Sequence, residues 1–398
     1  MEFTTTLSAY KIANSSNGNL TMTTNTSKDM CDFNIPIERY HCILFETAPQ
    51  AMYMDRYMTP FWYFLGLVGN SIAFFIWTRR YRRHSNISSL YLAALAVTDN
   101  LLLLFHMFSE LHYAWGISTL DYPIFCPIFF VLFMSLQYIS PLFILGFTVE
   151  RYISIVRPFR SERFSRIQRG PLEICALSFL AVALSVPQYF GWTVASGFCD
   201  GSNSEFYTAW SWGSDILVFA IFPVTTLVLN LLVLRAASKS VKFRRQPEST
   251  YCKANHVHHH HKHKTSNTLV SPSTATLLTI SFYRLFTLVP VAIIFALQFT
   301  YPVGDYRMPI DEIKQSSTWR KHVQWFVAKK IIDEIGLSQY CCNIFIYLVT
   351  AKPFRMEMRR CFRCHDKGKQ DIQLGSLRNE NHTSTNATLL DPSLHKGM

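Results

Sequence analysis

Apolar residues fall in long runs along this chain, separated by short gaps that are polar and often rich in arginine. A helix rises about 1.5 Å per residue, so about 20 apolar residues cross the roughly 30 Å hydrocarbon layer of a bilayer. Seven windows reach that length: 54–77, 88–111, 123–156, 172–190, 212–234, 274–299 and 323–350. The third and seventh run long, which tilt or extension past the bilayer accommodates. The pattern predicts an all-α membrane protein, a seven-transmembrane helix bundle over 54–350, followed by a short amphipathic eighth helix on the membrane surface over 351–364. Residues 1–53 begin with a polar stretch and read as an extracellular segment, and the polar residues 365–398 read as a disordered cytosolic tail.

Composition supports a bilayer. Hydrophobic residues make up 49% of the chain and charged residues only 16%, whereas a soluble domain carries about 25% charged. The net charge of +12 would suit nucleic acid on a soluble surface. Here the Lys and Arg sit in the gaps between apolar runs, where positive charge holds loops in the cytosol, so a nucleic-acid partner is excluded.

Orientation follows from the same residues. Arg79, Arg80, Arg82 and Arg83 follow the first run, Arg157, Arg160, Arg163, Arg166 and Arg169 follow the third, and the gap 235–264 is basic. Gaps 112–122 and 191–211 contain neither Lys nor Arg. The amino terminus is therefore expected outside and the carboxyl terminus inside, as in a multi-pass plasma-membrane protein. The gap 300–322, with Arg307, Lys314, Arg320 and Lys321, is outvoted. No cleavable signal peptide is visible in 1–53, and three glycosylation sequons, at Asn14, Asn19 and Asn25, lie on the side assigned as outside.

Cysteines divide by compartment. Cys126 and Cys199 both face the oxidising side, which predicts a disulfide between them, and Cys31 with Cys42 stands as a candidate second bridge. Cys361 and Cys364 follow a basic stretch on the cytosolic side and are candidate palmitoylation sites. The His258 to His261 tract reads as low complexity rather than as a metal site.

Ionisable residues inside apolar runs are costly and mark function. Asp99 sits mid-run, where a carboxylate costs about 2.5–3.5 kcal/mol on insertion scales, so it must face the bundle interior. Arg284 is equally deep and needs a buried partner or water. Glu150-Arg151-Tyr152 closes the third run just before the arginine burst.

Taken in chain order, the motifs resemble the rhodopsin-like class of G-protein-coupled receptors over about Met54 to Cys364. They are Gly69-Asn70, Leu95-Ala96-Val97-Thr98-Asp99, Cys126, Glu150-Arg151-Tyr152 with Pro158 and Phe159, and the span prolines Pro187, Pro223 and Pro290. Asn343-Ile344-Phe345-Ile346-Tyr347 and Phe354-Arg355 complete the series. The resemblance implies that Glu150 restrains Arg151 until a heterotrimeric G protein engages it, with Phe159 as an apolar knob, and that phosphorylated tail residues recruit arrestin. It also implies a polar network of Asp99 with Asn70, Ser140, Asn343 and Tyr347, resembling the family's sodium pocket; a protonated Asp99 without an ion is the alternative. Arg284 stands where the family has Phe, Leu288 where it has Trp, and Ile344 where it has Pro, so the family's aromatic switch does not carry over. Arg284 is expected to face Asp99 and to replace sodium in part.

Amine receptors place an Asp where Phe133 stands, and opsins a Lys where Leu337 stands, so neither ligand class fits. Glu110, Phe133, Gln137, Lys330, Asp333 and Glu334 are the candidate ligand-binding residues, with acids for a cationic group and aromatic walls beside them. A short amidated neuropeptide suits them, and the resemblance is nearest to invertebrate receptors of the FMRFamide-like kind. The competing reading is a seven-span transporter or channel, using Asp99 and Arg284 as path residues, but no internal repeat supports it. An enzyme is not indicated: no phosphate loop, metal spacing or nucleophile motif is found, and no cofactor is expected beyond an allosteric sodium ion.

Overall fold

The computed structural model describes residues 36–115, 117–156, 163–195, 198–201, 205–245, 272–305, 308–361 and 363. Its long helices are α2 (Pro49–His84), α3 (Ile87–Tyr113), α4 (Phe125–Val156), α5 (Arg163–Ser185), α6 (Glu205–Ile216) continued by α7 (Phe222–Arg245), and α8 (Pro272–Ala296). A further span is formed by α10 (Ser317–Cys341) and α11 (Asn343–Thr350). Among the described residues, six helices are long and apolar enough to cross a membrane. The α10–α11 span does not meet that measure because Lys329, Lys330, Asp333 and Glu334 fall inside it.

Local chemistry sets several boundaries. Pro49 begins α2, where a missing N–H costs nothing, and Ser85 ends it in the left-handed conformation (φ 46°), its N–H donating to the Tyr81 carbonyl at 2.7 Å. Asn86 caps α3 by accepting from the Ser88 N–H at 3.0 Å. A π turn at Leu217–Ile221 joins α6 to α7 immediately before Pro223, whose ring would clash with the carbonyl four residues back. Cys342 breaks the seventh span beside Asn343.

The helices pack as a bundle with apolar groups on both sides. Phe64, Phe179 and Phe286 point outward at 71, 76 and 73% exposure, which suits hydrocarbon and not water. One interior cluster gathers Trp77, Tyr91, Phe143, Phe147, Leu277 and Tyr347. At the opposite end Leu102, Phe129, Phe130, Phe133 and Trp192 surround Cys126 and Cys199. Gly66 lets α2 lie close on its neighbours, since a Cβ there would run into Leu103 and Cys341.

Two regions that the sequence reading placed outside the spans contain helices. The short helix α1 (Pro36–Thr47) falls within the stretch assigned as an extracellular segment, and α9 (Ile310–Gln315) within the gap 300–322. Both pack around Trp319, with Ile43 and Ile313 buried against it. The Tyr40 hydroxyl lies 2.8 Å from His322 Nε2, and Arg39 donates to the Met308 carbonyl at 2.9 Å. A handful of apolar contacts on short helices, rather than long periodic stripes, holds this cap, so run-counting misses it. The first span likewise begins at Pro49 rather than at residue 54.

The hairpin β1 (Trp192–Ala195) and β2 (Phe198–Gly201) is antiparallel, pairing Val194 with Cys199. A last helix, α12, covers 352–361. Its Phe354 is fully buried against Trp77 and Tyr347, with ring centroids 5.4 Å from each. Its Glu357 accepts from Arg83 at 2.7 and 3.0 Å and lies 3.4 Å from Arg79, which fastens α12 to the end of α2.

Candidate functional site

At mid-bundle Asp99 of α3 is completely buried, and every oxygen it presents is engaged. Asn343 of α11 donates to Oδ2 at 2.7 Å and Ser140 of α4 to Oδ1 at 3.2 Å. Arg284 of α8 donates from Nη2 to Oδ1 at 3.2 Å and Oδ2 at 3.1 Å, and from Nη1 to Ser140 Oγ. Four helices thus meet at one ion pair, and the guanidinium lies 5.4 Å from the Tyr340 ring centroid. Two residues expected in this network stand apart. Asn70 donates to the Tyr340 carbonyl at 2.8 Å, and Tyr347 packs edge-on against Trp77.

A sodium ion does not fit these residues. It would need the carboxylate oxygens that Arg284, Ser140 and Asn343 already occupy, and it would sit within contact range of a guanidinium of the same charge. Arg284, which the sequence reading expected to replace sodium in part, supplies the positive charge beside Asp99.

Near the far end of α4, Arg151 donates to Ser88 Oγ and its guanidinium lies 5.5 Å from the Phe147 ring. Glu150 and Tyr152 are half-buried beside it. Pro158, Phe159, Cys364 and the sequons Asn14, Asn19 and Asn25 lie outside the described residues; Cys361 is a half-buried free thiol.

Toward the other end the bundle opens into a cavity of about 430 Å³, within the range of small-ligand sites. Cys126 at the start of α4 is bonded to Cys199 (Cα separation 5.8 Å), which draws the hairpin over this cavity and stacks Trp192 on Phe130. Cys42 is also disulfide-bonded, and Cys31 lies outside the described residues.

Of the expected ligand-binding residues, Glu110, Phe133, Gln137 and Asp333 line the cavity. Lys330 and Glu334 do not: they turn toward α2, where Lys330 pairs with Asp55 and Glu334 accepts from Thr59 at 2.6 Å. Helical rotation explains the split, because residues one position from Lys329 and Asp333 point about 100° away. Lys329, which does line the cavity, pairs with Asp333 at 2.5 Å.

Sequence reasoning missed Asp215 on the opposite wall, which accepts from the Tyr138 hydroxyl at 2.9 Å. Its signal was present: a carboxylate in an apolar run, the same cue that marked Asp99. It also missed His106, bonded to Tyr63 at 2.7 Å, because a lone histidine carries no pattern.

Seven spans are joined by an interhelical ion pair, with a disulfide-covered cavity at one end and a half-buried arginine at the other. The family profile described as 7 transmembrane receptor (rhodopsin family) matches residues 69–349, and the chain belongs to that family. It is thus a multi-pass membrane protein of the G-protein-coupled receptor superfamily, a family known to act as non-catalytic signal receptors rather than enzymes.

Among curated proteins it is similar to Free fatty acid receptor 3 of Rattus norvegicus, 29% identical over 36% of this chain and 46% of that one. It is also similar to Pyrokinin-1 receptor of Drosophila melanogaster, 30% identical over 42% of this chain and 40% of the relative. Neurotensin receptor type 1 of Mus musculus is 25% identical over 45% and 42% respectively. The chain spans less than half the length of each of these relatives.

Proposed function

We propose that this receptor binds a short, cationic and aromatic neuropeptide, amidated at its carboxyl end, in the disulfide-covered cavity, and activates a heterotrimeric G protein at the Arg151 end. The cavity carries this reading. Phe130, Phe133, Trp192, Trp212 and Phe295 wall it, and its charged lining is three carboxylates, Glu110, Asp215 and Asp333, against one lysine. Aromatic faces and carboxylates both attract cations. A free carboxyl terminus would be repelled there, and amidation removes that charge. The same acid excess disfavours a fatty-acid carboxylate, despite the name of one relative. Pyrokinin-1 and Neurotensin receptor type 1 support the peptide side, and an FMRFamide-like ligand is one form of it.

In this reading the amino terminus is extracellular, with sugars at Asn14, Asn19 and Asn25, and α12 lies on the inner leaflet with Cys361 and Cys364 palmitoylated. The Arg284–Asp99 pair holds the sixth span against the second and third. Ligand binding loosens that tie, the sixth span moves outward, and Glu150, Arg151, Tyr152, Pro158 and Phe159 receive the G protein, with arrestin engaging the phosphorylated tail afterwards.

The test is a library of amidated peptides applied to cells expressing the full chain, with calcium and cyclic-nucleotide readouts. A basic aromatic peptide should evoke a response that Arg151→Ala abolishes while surface expression persists. Silence to all peptides together with a response to a lipid or small metabolite would sink the peptide reading.

A further inference from the structure

Arginines at one end of the bundle gather around a single acid. Glu357 of α12 is completely buried, and its carboxylate is reached from two helices. Arg83 of α2 donates to both oxygens at 2.7 and 3.0 Å, Arg79 of α2 lies 3.4 Å from Oε1, and Arg360 of α12 donates to Oε2 at 3.3 Å. Arg80 lies within electrostatic reach of both Glu357 and Arg360. Three guanidiniums against one carboxylate leave two positive charges over, and Arg80 makes three. Stability alone would be better served by matched charges, since like charges held together repel.

The arginines keep donors to spare. Each guanidinium carries five N–H groups in a planar fork, more than two carboxylate oxygens can absorb, and the Arg79, Arg83 and Arg360 side chains are 31, 39 and 49% exposed. Glu357 meanwhile fixes their positions, so less side-chain entropy is left to lose when an anion binds. The surroundings select the anion. Phe74 and Phe75 are exposed on α2 shortly before these arginines, Val349 is exposed at the end of α11, and Met356 is exposed next to Glu357. Exposed apolar side chains of this kind face hydrocarbon, so the cluster sits where the polar headgroups of a bilayer begin.

We infer that Arg79, Arg80, Arg83 and Arg360 form a site for a membrane lipid headgroup bearing two phosphomonoesters, seated against both α2 and α12. A phosphomonoester carries about −1.5 to −2 charges at pH 7, so two of them balance the three surplus positive charges, whereas a lone phosphodiester leaves most of that surplus unmatched. Arginine forks suit phosphate oxygens, and basic clusters beside a membrane helix attract such lipids. The site is independent of the peptide reading and shares with it only the placement of α12 on a leaflet.

Binding is read by native mass spectrometry of the purified full chain in detergent micelles containing equal amounts of phosphatidylcholine, phosphatidylserine, phosphatidylinositol and phosphatidylinositol bisphosphate. The bisphosphate should be retained about tenfold or more over phosphatidylinositol, which shares its ring and tails. Arg79→Gln, Arg83→Gln and Arg360→Gln should each weaken it about fivefold, the equivalent of about 1 kcal/mol per basic residue near a membrane surface. Arg363→Gln removes the same charge farther along the chain and should change it less than about twofold. Glu357→Gln adds a positive charge yet should weaken the bisphosphate, because the arginines lose the group that fixes them.

The lipid-free thermal midpoint of each variant reports whether it folds, and Arg360→Gln, at the most exposed of the three contacts, serves if the α2 variants do not. Equal retention of phosphatidylserine and the bisphosphate, a loss in Arg363→Gln as large as in Arg360→Gln, or tighter binding by Glu357→Gln overturns the site in favour of diffuse positive charge. Soluble inositol trisphosphate that displaces the lipid at equal concentration overturns the membrane source. Failure of the bisphosphate to bind overturns the site outright and leaves the peptide reading untouched.

Discussion

The ion pair at the centre of the bundle and the cavity at its disulfide end both bury carboxylates, and they treat them in opposite ways. At the centre, Asp99 has a guanidinium, a hydroxyl and an amide on its two oxygens. In the cavity, Glu110 keeps one oxygen without a hydrogen-bond partner among the described residues, and Asp215 is met by a neutral donor. Charge satisfied from within ties helices together, because separating the partners exposes both to a medium that cannot solvate them. A carboxylate oxygen left without a donor costs stability, which a cationic ligand of the kind proposed would restore.

The contrast is broken most severely by removing one member of the central pair. Asp99→Ala or Arg284→Leu should each destabilise by about 3–5 kcal/mol, since each strands a buried charge, whereas the double variant should recover much of the loss. Thermal unfolding of the three variants checks this, and a double variant no better than the singles would show that the pair is not what stabilises the centre. The same assay in sodium chloride and in choline chloride should give one midpoint for the parent chain, because Arg284 already fills the cation's place.

A smaller loss is expected from opening the cavity's cover. Replacing Cys126 and Cys199 by serine should cost about 2–4 kcal/mol, the usual worth of a disulfide, and should weaken ligand binding by freeing Trp192. If midpoint and affinity were both unchanged on reducing-gel-verified protein, the hairpin would be held by its other contacts alone. Least affected should be the pair between Lys314 and Glu46, 47 and 32% exposed at 3.5 Å. Lys314→Ala should shift stability by less than about 1 kcal/mol, and a larger shift would mean that the α1–α9 cap depends on charge rather than on Trp319.

Much of this was legible along the chain because lipid imposes a length. The seven spans, the importance of Asp99 and Arg284 and the cysteine pair all follow from what a bilayer tolerates or from which compartment oxidises thiols. Lys330 and Glu334 were misplaced because adjacent helical residues point in different directions, and the sequence names neighbours in order without saying which way a helix is turned. Asn70 and Tyr347 were grouped with Asp99 by motif, yet each spends its side chain on another partner. The helices α1 and α9 were missed because a cap held by a few aromatic contacts has no period to read.

By itself, then, the amino-acid order determined how many times the chain crosses the bilayer and which buried ionisable groups had to find partners, since both are set by the cost of moving polar groups into hydrocarbon. Only the tertiary structure decided which partner each group found. Arg284 and Asp99 are far apart in the chain and meet because helix rotation and packing bring them into bonding range, a choice made by three-dimensional geometry that no local pattern encodes.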